Sequence, residues 1–285
     1  RPFFILSQNS PTFKPDAETA PIPVMTTLLI RLLHSPCFYM AIPPSITITC
    51  AVMNDASSDA TNHVTKKRKH DVVTHVFNLG YGSGIQLGYK YAVRRDYKYV
   101  IQMDADGQHD VCNIPVIYDR LRQKDEDGRY PDIVLGSRFM NGSADFSISI
   151  AKKIAFHLFR FMIEVAAGRK IADPTTGLQG LSRKAVLYYS KYNHFDDKYP
   201  DTNMIMQMIL LKFKVVEVPA VMHPRTAGAS MHSGLKPIWY MLRMFFSVLA
   251  VVFRCKVLKV DENAGLQDVE IPYTQQKTAE LKKQN

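Results

Sequence analysis

Tyr99-Val100-Ile101-Gln102-Met103 runs straight into Asp104-Ala105-Asp106-Gly107-Gln108-His109-Asp110, and this junction decides how the chain folds. A short apolar run closed by acids reads as a buried strand whose carboxylates fall at its carboxyl end. In open α/β sheets, ligands bind along that edge. Asp104 and Asp106, with the amide oxygen of Gln108, are hard oxygen donors suited to Mg²⁺ or Mn²⁺, with diphosphate oxygens completing the shell. A turn that merely caps the next helix is the blander reading. Three acids and an amide within seven residues of a buried strand argue against it. A calcium loop fails, because Gly107 stands at the fourth position rather than the sixth and Pro115 where a bidentate Glu is required.

Outward from this junction, short apolar runs alternate with helical patterns, the signature of an α/β domain with a mostly parallel, nucleotide-binding sheet flanked by helices. The pattern predicts strands at Ile46–Met53, Val72–Asn78, Tyr99–Met103, Ile133–Leu135 and Val215–Val221. Helices are expected at Ser58–Lys69, Ser83–Arg95, Ile114–Gln123, Ala151–Ala167, Arg183–Ser190 and Thr202–Lys212. Residues 1–46, rich in proline, receive no element. Residues 47–235 form the catalytic unit, 236–260 an amphipathic helical segment, and 261–285 a polar tail expected to be mobile.

Three further strand ends carry polar residues. Asn54-Asp55-Ala56-Ser57-Ser58-Asp59 follows one strand; Asp55 offers a carboxylate to a nucleobase edge or ribose, and Ser57 or Ser58 a helix cap. Asn78-Leu79-Gly80-Tyr81-Gly82-Ser83-Gly84 resembles a phosphate-cradling loop but misses the dinucleotide fingerprint, since Ile85 or Leu87 replaces the last glycine. Its glycines permit close backbone approach, to a nucleotide or to a neighbouring strand. Arg138, after Ile133–Leu135, presents a planar fork suited to phosphate oxygens, or to a surface ion pair. Asp173 either faces the same cleft or caps a helix, and the basic loop His223–Ser230, with Arg225, suits a phosphate.

Lys and Arg number 36 against 26 Asp and Glu, an excess that favours anionic partners without choosing among them. Lys66-Lys67-Arg68-Lys69-His70 reads as the solvated end of a helix, so no nucleic-acid partner is expected. Cys37, Cys50, Cys112 and Cys255 lack a C-x-x-C pair, which points away from zinc and disulfides and toward a reducing, cytoplasmic setting. Arg at position 1 suggests a truncated or processed start, and no signal peptide is evident.

The ordered set Asn54–Asp59, Asn78–Gly84, Asp104–Gln108, Gly136-Ser137-Arg138-Phe139, Asp173–Gly177 and Arg225–Ser230 resembles the family 2 glycosyltransferases, in particular members similar to dolichyl-phosphate mannose synthase and the polyprenyl-phosphate sugar transferases. The resemblance implies a glycosyltransferase A fold and inverting transfer from a nucleoside diphosphate sugar to a lipid phosphate or glycan. It places Asp55 on the base, Asp104 on the ribose or metal, and Asp106 with Gln108 on the metal. Ser57, Asn78, Gly80 and Gly84 would line the nucleotide, and Arg138 and Arg225 would hold phosphates of donor and acceptor. A hydroxyl acceptor needs a base, for which Asp201 is the candidate; a phosphate acceptor needs none.

Family members end their first strand in Ile-Pro-x-Tyr-Asn-Glu, a string absent from residues 1–50. The expectation is therefore a lost first strand or an altered start, which leaves an inactive relic as one alternative. A sugar nucleotidyltransferase is another, although its Gly-rich basic signature is missing. Leu235–Lys259 interleaves aromatic and basic residues, as expected of a helix at an anionic interface, the inner face of the plasma membrane included, or of a core helix or a contact for a membrane subunit.

Overall fold

The computed structural model describes residues 2–8, 49–57, 61–67, 70–104, 108–140, 143, 150–223 and 236–260. Among them one sheet contains β1 (Pro2–Gln8), β2 (Thr49–Asn54), β3 (Asp71–Thr74), β4 (Tyr99–Asp104), β5 (Ile133–Ser137), β6 (Gln179–Ser182) and β7 (Val215–Pro219), in the order β3-β2-β1-β4-β6-β5-β7. Neighbours run parallel except at β6, which is antiparallel to both β4 and β5. The helices are α1 (Thr61–Lys67), α2 (Tyr81–Arg94), α3 (Asn113–Leu121), α4 (Ile150–Ala167), α5 (Arg183–Ser190), α6 (Thr202–Leu210) and α7 (Lys236–Lys256).

Successive strand side chains point to opposite faces, and both faces of this sheet are covered. Ala51, Met53 and Val100 join a core with residues of α2, α4, α5, α6 and α7. Val52, Ile101 and Met103 face the other way onto Ile114, Ile117 and Leu121 of α3. Central strands buried on both faces read as continuous apolar runs rather than alternating ones, which is why the expected α/β class holds.

The expected loss of the first strand is overturned. β1 lies in the middle of the sheet, pairing in parallel with β2 and β4. Its Phe3-Phe4-Ile5-Leu6 is an apolar run of the kind a central strand carries, and Pro2 sits at the first strand position, where a missing donor does little harm. The strand ends in Ser7-Gln8 instead of the family string. Ser7 stands opposite Asp104, and Gln8 opposite Asn54, so Asp55 and Asp104 leave the same sheet edge with one strand, about 10 Å of backbone, between them.

β3 stops at Thr74, short of the expected Asn78, and Val76 and Phe77, which suggested a longer strand, are exposed. β6 was not anticipated, because Gln179-Gly180-Leu181-Ser182 carries a single aliphatic residue. Gly180 is required there: a Cβ would lie 2.2 Å from Ile117 of α3. The other elements agree with expectation to within a few residues at each end. The predicted polar tail lies outside the described residues.

Candidate active site

Asp55 emerges from β2 with its side chain buried. One carboxylate oxygen accepts the amide of Leu79 at 2.9 Å and meets His75 Nδ1 at 2.8 Å; the other accepts the amide of Gly80 at 2.8 Å. Asn78 donates its side-chain amide to the Asp55 carbonyl at 3.1 Å. The structure thus brings together Asp55, Asn78 and Gly80, with the Asp55 carboxylate pinning loop 75–80. Ser57 donates its amide to Asn54 Oδ1 at 3.0 Å, and α1 begins at Thr61, too far on for Ser57 to cap it; Ser58 lies outside the described residues.

The glycines of this loop accommodate protein. Gly80 has φ +103°, and a Cβ at Gly82 would fall 2.0 Å from the carbonyl oxygen of Asp196. Ser83 donates its amide to the Asp197 carbonyl at 2.9 Å. The segment before α6 therefore packs directly on the start of α2. Gly84 is buried in the first turn, its amide bonded to Gly80 O at 3.1 Å.

At the end of β4, the Asp104 side chain is 28% exposed. Tyr81, the first residue of α2, donates its hydroxyl to Asp104 Oδ1 at 2.5 Å. Burial, then the charge of Asp104, pushes the Tyr81 phenol well above its ordinary pKa, so it stays a proton donor. A Cβ at Gly177 would lie 2.2 Å from Asp104 Oδ2; only glycine leaves that carboxylate its place. Buried His109 reaches within 3.6 Å of the same oxygen, and its Nδ1 has no hydrogen-bond partner among the described residues. Gln108 is half-buried, and its carbonyl accepts the amide of His223 at 2.7 Å. Asp106 and Arg225 lie outside the described residues.

Arg138 leaves β5 and forms a two-pronged ion pair with fully buried Asp173, Nε and an Nη each donating at 2.7 Å; the same Nη donates to Thr175 Oγ1 at 2.8 Å. Of the two expectations for Arg138, a phosphate or an ion pair, the structure shows its fork engaged by a carboxylate. Buried positive charge needs such a partner, and Asp173 supplies it while Glu217 accepts the Asp173 amide at 2.9 Å.

Asp201 occupies the N-cap position of α6 without capping it. Instead Oδ2 accepts the hydroxyl of Tyr240 on α7. Burial raises the Asp201 carboxyl to about 6; the Tyr240 hydrogen bond and the charge of Arg138 pull it back down, while Asp173 and Asp104 push it up. Asp201, Asp104 and Arg138 therefore share one electrostatic environment. Tyr81, His109, Gly177 and Tyr240 were missed as site residues. Of these, Tyr81, His109 and Gly177 stood within the quoted motifs and Tyr240 within the aromatic C-terminal segment, but nothing local marked them out from their neighbours.

Asp104 can serve a hard divalent ion, being an accessible carboxylate at a ligand-binding edge. Among the described residues, no group of three His, Cys, Asp or Glu closes round such an ion.

A mostly parallel sheet covered by helices, with acids at the carboxyl edge of its central strands, is the glycosyltransferase A fold. Solved structures share it: mannosyl-3-phosphoglycerate synthase from Rubrobacter xylanophilus matches with a TM-score of 0.56 at 15% identity, over 95% of this chain and 77% of that one. Glucosyl-3-phosphoglycerate synthase from Mycobacterium tuberculosis, solved with Mn²⁺, UDP-glucose and phosphoglyceric acid, matches with a TM-score of 0.53 at 13% identity, over 88% and 79%. Residues 31–189 match the model of glycosyl transferase family 2, and the chain belongs to that family. An uncharacterized protein of Methanocaldococcus jannaschii is 30% identical over 139 residues, 47% of this chain; the chain spans about half, 53%, of that relative's length.

Proposed function

We propose that this glycosyltransferase moves a sugar, with inversion, from a nucleoside diphosphate sugar to an acceptor presented as a cell-envelope glycan hydroxyl or a polyprenyl phosphate, using Mg²⁺ or Mn²⁺. The observation that carries this reading is the pairing, in one electrostatic environment, of the accessible Asp104 carboxylate with an Asp201 carboxyl held near 6. The Mn²⁺, UDP-glucose and phosphoglyceric acid in the mycobacterial neighbour's structure support a donor and a metal of this kind.

A divalent ion at Asp104, Asp106 and Gln108 would neutralise charge gathering on the departing nucleotide diphosphate. Asp201, ionised above about pH 6, takes the proton of an acceptor hydroxyl. Tyr81 orients Asp104, and Arg138 positions the Asp173–Gly177 loop through its ion pair, which keeps Gly177 against Asp104. The raised Asp201 favours a hydroxyl acceptor; for a polyprenyl phosphate, already anionic, the base is dispensable and Arg225 matters more.

The test is a panel of UDP- and GDP-sugars with Mn²⁺ and both acceptor classes, read by the product released. Nucleoside diphosphate release that depends on acceptor supports the proposal. Inorganic diphosphate release would assign a nucleotidyltransferase instead, and failure to bind any nucleotide by calorimetry would mark an inactive relic.

A further inference from the structure

α7 has one face in the core and one face exposed. Tyr240, Met244, Val248, Val251 and Cys255 turn inward and pack with the core. On the opposite side Trp239, Leu242, Phe246, Leu249 and Phe253, at the three- and four-residue spacing of one helix face, are exposed. Trp239 is 70% exposed and Phe246 64%. α4 repeats the pattern beside it, burying Phe159 and Ile163 in the same core while exposing Ile154, Phe161 and Val165. The two helices touch each other and both pack on α6. Their unpacked faces therefore look out from the same side of one core.

Charge distinguishes the occupant. α7 contains Lys236, Arg243, Arg254 and Lys256 and no acid; Arg254 turns inward to donate to Gln207 Oε1 at 2.8 Å, which leaves exposed Arg243 and Lys256 to flank the apolar stripe. α4 contains Lys152, Lys153 and Arg160 against Glu164; Arg160 stacks over the Phe139 ring at 5.0 Å, Lys153 is exposed, and Glu164 is paired with Lys170 at 3.4 Å. A second copy meeting this face across a twofold axis would set these basic residues against themselves. No helix among the described residues is long and apolar enough to cross a membrane. An apolar stripe with a basic border on such a helix suits the plane of an anionic bilayer, apolar side chains below the headgroups and Lys or Arg among them.

We propose that the outer faces of α4 and α7 form a docking surface for an anionic lipid bilayer. The inner face of α7 places Tyr240 on Asp201, so the lipid surface lies about one helix diameter, roughly 10 Å, from the proposed base. A lipid-borne acceptor then arrives beside the reacting groups without leaving its membrane. This deepens the acceptor reading above, but its test needs no turnover.

Trp239 is the chain's single tryptophan and reports on the face directly. The full-length chain is mixed with vesicles of phosphatidylcholine and phosphatidylglycerol, 3:1, or of phosphatidylcholine alone. Expected are flotation with the anionic vesicles, a blue shift of Trp239 emission, and quenching by brominated acyl chains. Phe246→Ser with Phe253→Ser should weaken binding at least tenfold, and Lys153→Glu with Lys256→Glu should do so for anionic vesicles, with circular dichroism and UDP or GDP affinity unchanged in both. Absence of flotation, or a Trp239 spectrum indifferent to vesicles, overturns the proposal. So does a concentration-dependent dimer in sedimentation that Phe246→Ser dissolves. Lost vesicle binding with intact nucleotide binding would sink the surface and leave the transferase reading standing.

Discussion

Asp201→Asn should make the protein more stable and less active at once. Burial lifts this carboxyl from an ordinary 3.8 to about 6, two units that correspond to about 3 kcal/mol of preference for the neutral form in the folded state. The sign follows from proton linkage. Below about pH 4 the group is protonated in both folded and unfolded chains, and it contributes no difference. Between about 4 and 6 the unfolded chain has released the proton while the folded chain holds it, so stability falls as pH rises. Above about 6 the folded protein carries the full penalty of ionising this desolvated carboxylate. Asparagine imitates the neutral acid, and its oxygen can still accept the Tyr240 hydroxyl.

The stability gap between variant and parent should therefore grow from near zero at pH 4 to as much as about 3 kcal/mol at pH 7.5. For a chain of this size that is a rise in melting temperature on the order of 6–10 °C. Urea or thermal melts at the two pH values measure it. Transfer to a hydroxyl acceptor should fall by roughly 100-fold or more with the base gone, while transfer to a polyprenyl phosphate persists. A variant that is equally stabilised at both pH values, or destabilised at pH 7.5, would refute the assignment of a carboxyl raised by desolvation at this position.

Tyr240→Phe removes the hydrogen bond that lowers Asp201, so the acidic limb of the rate profile for a hydroxyl acceptor should move to higher pH; an unmoved limb would detach Tyr240 from the base. Gly177→Ala brings a methyl group to 2.2 Å from the Asp104 carboxylate and should lower kcat/KM by roughly 100-fold through misplacement of that group, with little change in melting temperature because only a side-chain end must shift. Arg138→Met leaves Asp173 buried without its counter-ion and should destabilise by about 3 kcal/mol in urea melts, a loss that Asp173→Asn in the same chain largely reverses. Gly82→Ala drives a Cβ to within 2.0 Å of a backbone oxygen, so both nucleotide affinity and turnover should drop together; loss of one alone would separate the two halves of the site.

What was legible in the sequence followed from local pattern. Asp104 could be placed at a strand end because the apolar run and the acids are contiguous, and the burial of both sheet faces was written into Ala51-Val52-Met53 and Val100-Ile101. β1 was hidden by its context, since a four-residue apolar run beside prolines carries no periodicity. β6 was hidden by composition, its place secured by Gly180 fitting under Ile117, a contact across 63 residues that no local signal reports. The partner of Arg138 likewise lies 35 residues away. A guanidinium reads the same in sequence whether it meets a phosphate or a carboxylate, and only the fold decides.

The glycines at 80 and 82 illustrate the same limit with a consequence for mechanism. In sequence they look like a phosphate cradle, whereas in the fold they admit the backbone of Asp196 and Asp197. One residue from Gly80, Tyr81 holds Asp104; four residues from Asp197, Asp201 faces Tyr240. Asn203 at the start of α6 ties this segment further, donating to Asp196 Oδ2 and to Ser247 of α7, both at 2.9 Å. The seam therefore fixes the proposed metal-bearing carboxylate and the proposed base against a common rigid reference. Displacement of α7 by whatever it rests on would be transmitted through Tyr240 and Asn203 to that reference. The exposed apolar face and the Tyr240–Asp201 contact are in this sense two sides of one helix, α7.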